Sequence, residues 1–87
     1  MEKLESLRMQ IDEIDRDIVK LLEDRFKVCL SIGRFKKENG MEVLNESREK
    51  QVVEKNIALV KDDFYREFIE EVLKTIMAES RKIQEEI

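Results

Sequence analysis

The first part of the chain is a long amphipathic run that almost no helix-breaking residue interrupts. From about Leu4 to Lys37, apolar residues recur every three or four positions and no proline occurs. This spacing places the apolar side chains on one face of a helix. Such a helix would be about 50 Å long at 1.5 Å per residue, which exceeds what a small compact domain accommodates. The run therefore predicts a helix that packs along another long helix, from the same chain or from a second copy.

The rest of the sequence predicts two further helices. The chain has no proline, only two glycines and 44% charged residues, which favours long helices with few connections. The Asn-Gly pair at positions 39–40 suits the end of the first helix, and Asn45 or Ser47 can cap a short second one. Asp62 or Asp63 can then cap a long third helix. We predict an all-α fold with three helices per chain in the order long, short, long.

Charge and hydropathy exclude several functional classes. The chain has 17 basic and 21 acidic residues and a net charge of −4, which disfavours nucleic acid as a partner. Its 41% of hydrophobic residues and balanced charge are not typical of disorder. No run of about 18 apolar residues predicts a membrane helix, and the first ten residues lack a secretory signal. We expect residues 1–87 to form a single cytoplasmic domain without membrane or nucleic-acid partners.

The sequence lacks the residue types that many catalytic and metal sites need. It has no histidine, and Cys29 is its only cysteine. An internal disulfide is excluded, and so are the usual zinc sites and histidine-based acid–base catalysis. Any chemistry is therefore predicted to proceed without a metal.

Polar residues interrupt the apolar faces at three places, which are the candidate functional positions. Arg25 falls within the apolar stripe of the first helix, where a buried guanidinium needs an anionic partner. Lys36 lies about 20° from the azimuth of Arg25 on a straight helix, so both cations point into one cleft. The other candidates are polar residues at the start of the second helix and along the stripe of the third: Arg48, Glu49, Ser80 and Gln84.

Each candidate also has a purely structural interpretation. Arg25 could pair with a carboxylate of a neighbouring helix, and Lys36 could be a solvated cation near the negative end of its helix dipole. The charged pair on the second helix could be surface charge, and the polar pair on the third could lie on an exposed rim. Cys29 is interpreted as core filling.

Arg8 suggests that a second chain is needed. It lies on the same predicted helix as Arg25, about 26 Å away along the axis. No small ligand could touch both side chains within one chain. If both serve one site, a second copy must supply Arg8, which agrees with the dimer that the overlong helix suggests.

Four motifs together resemble a known family. The stretches "LRMQIDEID", "LLEDRFKVCLSIGRFK", "NESRE" and "MAESRKIQ" follow one another in the order found in the all-helical class of chorismate mutases. The resemblance covers nearly the whole chain. It implies an intertwined helical homodimer that converts chorismate to prephenate by a sigmatropic (Claisen) rearrangement, without a cofactor, in the shikimate pathway to phenylalanine and tyrosine.

The resemblance also implies roles for the candidate residues. Arg25, with Arg8 from the other subunit, would hold the two carboxylates of chorismate. Lys36 would contact the ether oxygen and a carboxylate, and Gln84 would donate to the same ether oxygen. Glu49 would accept a hydrogen bond from the ring hydroxyl. The resemblance thus makes Lys36, Gln84, Arg25 and Glu49 the catalytic residues.

Three further positions complete the implied binding site. Arg48 would orient the hydroxyl end of the substrate, and Ser80 would help to fix a carboxylate. Asn45 stands where the family often has aspartate, so only its backbone contribution carries over. The proline that the family usually has before the second helix is missing from "NGMEVLN", which changes the expected shape of this loop.

Three other functions remain open at the level of sequence. Isochorismate pyruvate lyase resembles the mutase in fold and in much of its cationic site. A helical oligomerisation module without catalysis would also show the same apolar stripes. A regulatory role beside another enzyme of the shikimate pathway is a third possibility.

Overall fold

Three α-helices in the order long, short, long make up the described part of the chain. The computed structural model describes residues 2–87, with α1 at Glu2–Glu38, α2 at Glu46–Ile57 and α3 at Arg66–Glu85. A 3-10 turn at Asp63–Tyr65 precedes α3. Residues 2–87 contain no strand, and none of their helices is both long and apolar enough to cross a membrane. The predicted all-α fold with three helices is confirmed, whereas its assembly into a homodimer stays a prediction.

Local hydrogen bonds explain where the helices begin and end. Gly40 has φ 63°, a left-handed conformation that suits glycine, and Met41 N–H donates to the Lys36 carbonyl at 2.8 Å to close α1. Asn45 is the residue that caps α2, because its Oδ1 accepts from Arg48 N–H at 3.0 Å. Asp62 caps the turn before α3 in the same way.

Helices α1 and α2 do not pack against each other, and a gap separates them. Helix α3 packs against both and lines the floor of this gap. Arg25 contacts Ser80, while Gly33, farther along α1, lies against Gln84 and Ile87. Therefore α3 runs in the same direction as the C-terminal half of α1. Both α1 and α2 pack on α3, but no Cα atoms of α1 and α2 lie within 8 Å of each other. The position of α2 relative to α1 is thus set through α3.

One chain buries very few of its side chains. Cys29, Met77 and Ser80 are only 5–7% exposed, but Ile14 and Leu21 on the α1 stripe are 58% and 64% exposed. The radius of gyration is 16.2 Å, compared with about 12 Å for a compact chain of this length. The long axis of the molecule measures 56 Å because α1 extends unbroken through it. A single chain therefore presents an incomplete core.

Candidate active site

A cavity of about 220 Å³ lies between α1 and α2 above α3. It collects polar side chains from all three helices and from the loop that joins α1 to α2. Seven of the eight sequence-predicted site residues line it, namely Arg25, Lys36, Asn45, Arg48, Glu49, Ser80 and Gln84. The eighth, Arg8, is exposed and is not among the residues that line the cavity.

The guanidinium of Arg25 is half-buried against uncharged groups. Its Nη1 donates to Ser80 Oγ at 2.6 Å and approaches Cys29 Sγ at 3.6 Å, while Nη2 lies 3.9 Å from Met77 Sδ. None of the ion pairs formed within residues 2–87 includes Arg25. The structural interpretation of Arg25, in which a carboxylate of a neighbouring helix pairs with it, is therefore wrong for residues 2–87 of a single chain. The charge of Arg25 faces the cavity uncompensated.

Ser80 orients Arg25 through a relay of two hydrogen bonds. Its hydroxyl donates to the Ile76 carbonyl, one turn earlier in α3, at 2.6 Å. Since the single hydroxyl proton is used there, the oxygen accepts from Arg25. A hydrogen bond that involves a charged partner is stronger than a neutral one. Ser80, which is buried, thus fixes the direction in which the guanidinium points.

Lys36 is held at the cavity wall by the loop that follows α1. Its Nζ donates to the Val43 carbonyl at 2.8 Å. The left-handed turn at Gly40 reverses the chain so that this carbonyl comes back over the end of α1. An ammonium group has three donors, so Lys36 retains two for another acceptor in the cavity.

The start of α2 contributes side chains of both charges. Asn45 uses its side chain for capping, and Arg48 Nη1 donates to Gln51 Oε1 at 2.9 Å on the exposed side. Glu49 is only 25% exposed and its Oε2 lies 2.9 Å from Nε of Arg81 on α3. The N–H of Arg81 is not aligned on that oxygen, so the contact is a close ion pair rather than a hydrogen bond.

Gln84 lines the cavity next to a close approach between α1 and α3 at Gly33. A Cβ atom added to Gly33 would lie 2.9 Å from the Gln84 Cα, so only glycine permits this approach. The Gln84 Oε1 is buried and has no hydrogen-bond partner among residues 2–87. Buried polar atoms are normally paired. The amide is therefore placed in the cavity wall with unused hydrogen-bonding capacity.

Sequence reasoning gave no site role to six residues that line the cavity, of which Arg81 is the charged one and Cys29 lies beside Arg25. Arg81 lies within the quoted motif "MAESRKIQ" but received no role, and Cys29 was interpreted only as core filling. Cys29 is indeed buried, yet it also lines the cavity beside Arg25. The signal for Arg81 was its position: Met77, Ser80, Arg81 and Gln84 follow the i, i+3, i+4, i+7 spacing of a single helix face.

The charge of the cavity is opposite in sign to that of the chain. Four cations line it, Arg25, Lys36, Arg48 and Arg81, against the single carboxylate of Glu49, which gives a local net charge of +3. The chain as a whole has a net charge of −4. A concave site with this excess of cations attracts an anion with more than one negative charge. Arginine side chains additionally match carboxylates in a bidentate geometry.

Comparisons with known proteins agree with this chemistry. A family model described as "Chorismate mutase type II" matches residues 7–85. A bifunctional chorismate mutase/prephenate dehydratase of Aquifex aeolicus is 35% identical over 79 residues, which are 91% of this chain and 22% of that protein. The T-protein of Haemophilus influenzae is 30% identical over 81 residues, covering 92% of this chain and 22% of its own length.

Another relative is named only as a chorismate mutase, without a second activity in its name. The chorismate mutase of Methanocaldococcus jannaschii is 32% identical over 62 residues, which are 71% of this chain and 63% of that protein. The chain spans about a fifth of the length of the Aquifex and Haemophilus proteins. The resemblance that the four sequence motifs indicated is confirmed. Because the family model covers almost the whole of the described structure, the chain belongs to the chorismate mutase type II family.

Proposed function

We propose that this domain, residues 1–87, isomerises chorismate to prephenate in the biosynthesis of phenylalanine and tyrosine. The observation that carries the proposal is the cavity of net charge +3, in which Arg25 has no anionic partner of its own. Chorismate brings two carboxylates, and an unpaired guanidinium and ammonium are suitable partners for them. We expect the reaction to run in the cytoplasm, where thiols such as that of Cys29 stay reduced.

The family resemblance assigns the substrate contacts, and the groups that line the cavity are compatible with them. Arg25 would bind one carboxylate, with its guanidinium held in place by Ser80. Lys36 would use its two remaining donors for a carboxylate and the ether oxygen. Gln84 would donate its amide N–H to that same oxygen, and Glu49 would accept from the ring hydroxyl.

The rearrangement needs electrostatic stabilisation more than it needs a reactive group. It occurs within one molecule, so no nucleophile or redox partner takes part. Negative charge grows on the ether oxygen as its C–O bond breaks. Donors from Lys36 and Gln84 would bind that charge more strongly in the transition state than in the substrate, which lowers the barrier. Cations that grip both carboxylates would favour the compact reactive conformer.

A homodimer is part of the proposal, and the exposed surface supports it. The chain exposes 7509 Å², whereas a folded monomer of this mass is expected to expose about 5,400 Å². Two chains together thus expose an excess of about 4,200 Å², which falls in the range that obligate homodimers bury. Part of the exposed apolar surface is a stripe on α1 formed by Leu21, Val28 and Phe35, each 59–64% exposed.

The dimer would also complete the active site. Arg8 is exposed, lies on the half of α1 that precedes Arg25, and is about 26 Å from it along the helix. In a symmetric dimer with antiparallel α1 helices, a two-fold axis midway between these positions would bring Arg8 of one subunit to Arg25 of the other. Each site would then hold its second carboxylate with an arginine from the partner.

The decisive experiment is direct. The purified protein is added to chorismate without metal or cofactor, and loss of chorismate and formation of prephenate are followed. We expect acceleration that Arg25→Ala abolishes while circular dichroism and sedimentation stay those of the wild type. A folded protein that leaves chorismate unchanged contradicts the proposal. A parallel assay with isochorismate, read as pyruvate and salicylate, identifies the lyase instead.

A further inference from the structure

The ion pair between Arg81 and Glu49 joins α3 to α2. Arg81 lies on α3 between Ser80 and Gln84, and Glu49 lies in the first turn and a half of α2. Since α2 packs on α3 and not on α1, contacts to α3 decide where Glu49 stands relative to Arg25 and Lys36. The 2.9 Å contact between Arg81 Nε and Glu49 Oε2 is such a link, inside the cavity wall.

The contact occupies only one of the two carboxylate oxygens. It involves Oε2, and a carboxylate has a second oxygen with lone pairs of its own. The Arg81 side chain is 38% exposed, but its Nε is buried. Arg81 and Glu49 also both line a second, larger groove between α2 and α3.

Without Arg81, the Glu49 carboxylate would have no ion pair within residues 2–87, because its contact with Arg81 is the one the structure shows for it. The side chain could then rotate, and neither of its oxygens would keep a fixed direction in the cavity.

We propose that Arg81 is a positioning residue, which holds Glu49 by Oε2 and thereby aims Oε1 at the ring hydroxyl of chorismate. This inference rests on the proposed mutase function and adds a determinant of specificity to it. Arg81 itself does not touch the reacting atoms. It acts on the reaction through the orientation of Glu49.

The test compares Arg81→Met with two substrates. We expect kcat/KM for chorismate to fall about tenfold, because partly buried ion pairs of this kind couple their partners by about that factor. For the chorismate analogue that lacks the ring hydroxyl, assayed as substrate or as competitive inhibitor, the change should stay below about twofold. Arg81→Lys restores the charge without the planar fork, and we expect it to recover most of the loss. Lys82→Met is the matched control, since it removes a neighbouring cation whose partner, Glu79, lies outside the cavity.

The outcomes separate this inference from the proposed function. Equal losses for chorismate and for the analogue would make Arg81 a merely structural tie between α2 and α3 and would overturn the inference. An Arg81→Met variant as active as the wild type would overturn it too. A wild-type protein that does not convert chorismate refutes the mutase proposal itself. If Arg81→Met does not fold, Arg81→Gln, which keeps N–H donors without the charge, carries the test, and equal effects on the two substrates again count against the inference.

Discussion

Replacing Gly33 with alanine should reduce turnover by moving Gln84. The new Cβ would lie 2.9 Å from the Gln84 Cα, 3.0 Å from Ile87 Cδ1 and 3.1 Å from the Gln84 Cβ. The Ile87 side chain can rotate away, but the Cα of Gln84 belongs to the α3 backbone. Ordinary carbon contacts begin near 3.4 Å, so the end of α3 must move by about 0.5 Å.

The two consequences of this shift have different sizes. Overpacking costs about 1–3 kcal/mol, and the better helix propensity of alanine offsets about 1 kcal/mol. The free energy of unfolding should therefore fall by only about 0–2 kcal/mol. A displacement of about 1 Å in a catalytic group can cost about a hundredfold in rate, so half of that displacement suggests about a tenfold loss of kcat. KM should change less, because Gln84 is assigned to the transition state.

The assay is steady-state kinetics on chorismate, with urea unfolding at a fixed protein concentration because a dimer's stability depends on it. Ser31→Ala is the matched control. It also replaces a poorer helix former on α1, but at an exposed position, and should leave kcat unchanged. A Gly33→Ala variant that folds and keeps kcat within twofold of the wild type would refute the assigned role of the close approach, and with it the role of Gln84.

Three further predictions address the site and the dimer. Arg8→Ala and Arg25→Ala homodimers should each be inactive. After subunit exchange between them, about a quarter of wild-type activity should return, because half of the dimers are mixed and each mixed dimer has one intact site. No recovery would place Arg8 outside the partner's site. Gln84→Glu should be poorly active at neutral pH, where the carboxylate cannot donate a hydrogen bond to the ether oxygen. Its kcat should rise as the pH falls toward the range in which glutamate is protonated. A pH profile like that of the wild type would contradict the role of Gln84. Ser80→Ala removes the hydroxyl oxygen that accepts from Arg25 at 2.6 Å, and the lost hydrogen bond is worth about 1–2 kcal/mol. We expect kcat/KM of the folded variant to drop at least fivefold. An unchanged kcat/KM would show that Arg25 does not need this hydrogen bond.

Much of the fold follows from local patterns in the sequence. The apolar spacing and the absence of proline predict α1, and capping chemistry limits the start of α2 to Asn45 or Ser47, of which Asn45 is the cap in the structure. These features depend on residues within four or five positions of each other, which is why sequence alone reveals them. The charge excess at Arg25 and Lys36 is visible for the same reason, because both lie on one helix whose periodicity is known.

The tertiary structure alone decided which groups meet across helices. The sequence left open a carboxylate partner for Arg25, and the fold instead supplies Ser80 from α3 and no carboxylate within residues 2–87. It likewise paired Glu49 with Arg81 and brought Gln84 against Gly33. Periodicity fixes the direction of a side chain around its own helix, but not the distance or angle to another helix. Those depend on how α1, α2 and α3 pack, and this packing gathers charges from three helices into one cavity of net positive charge.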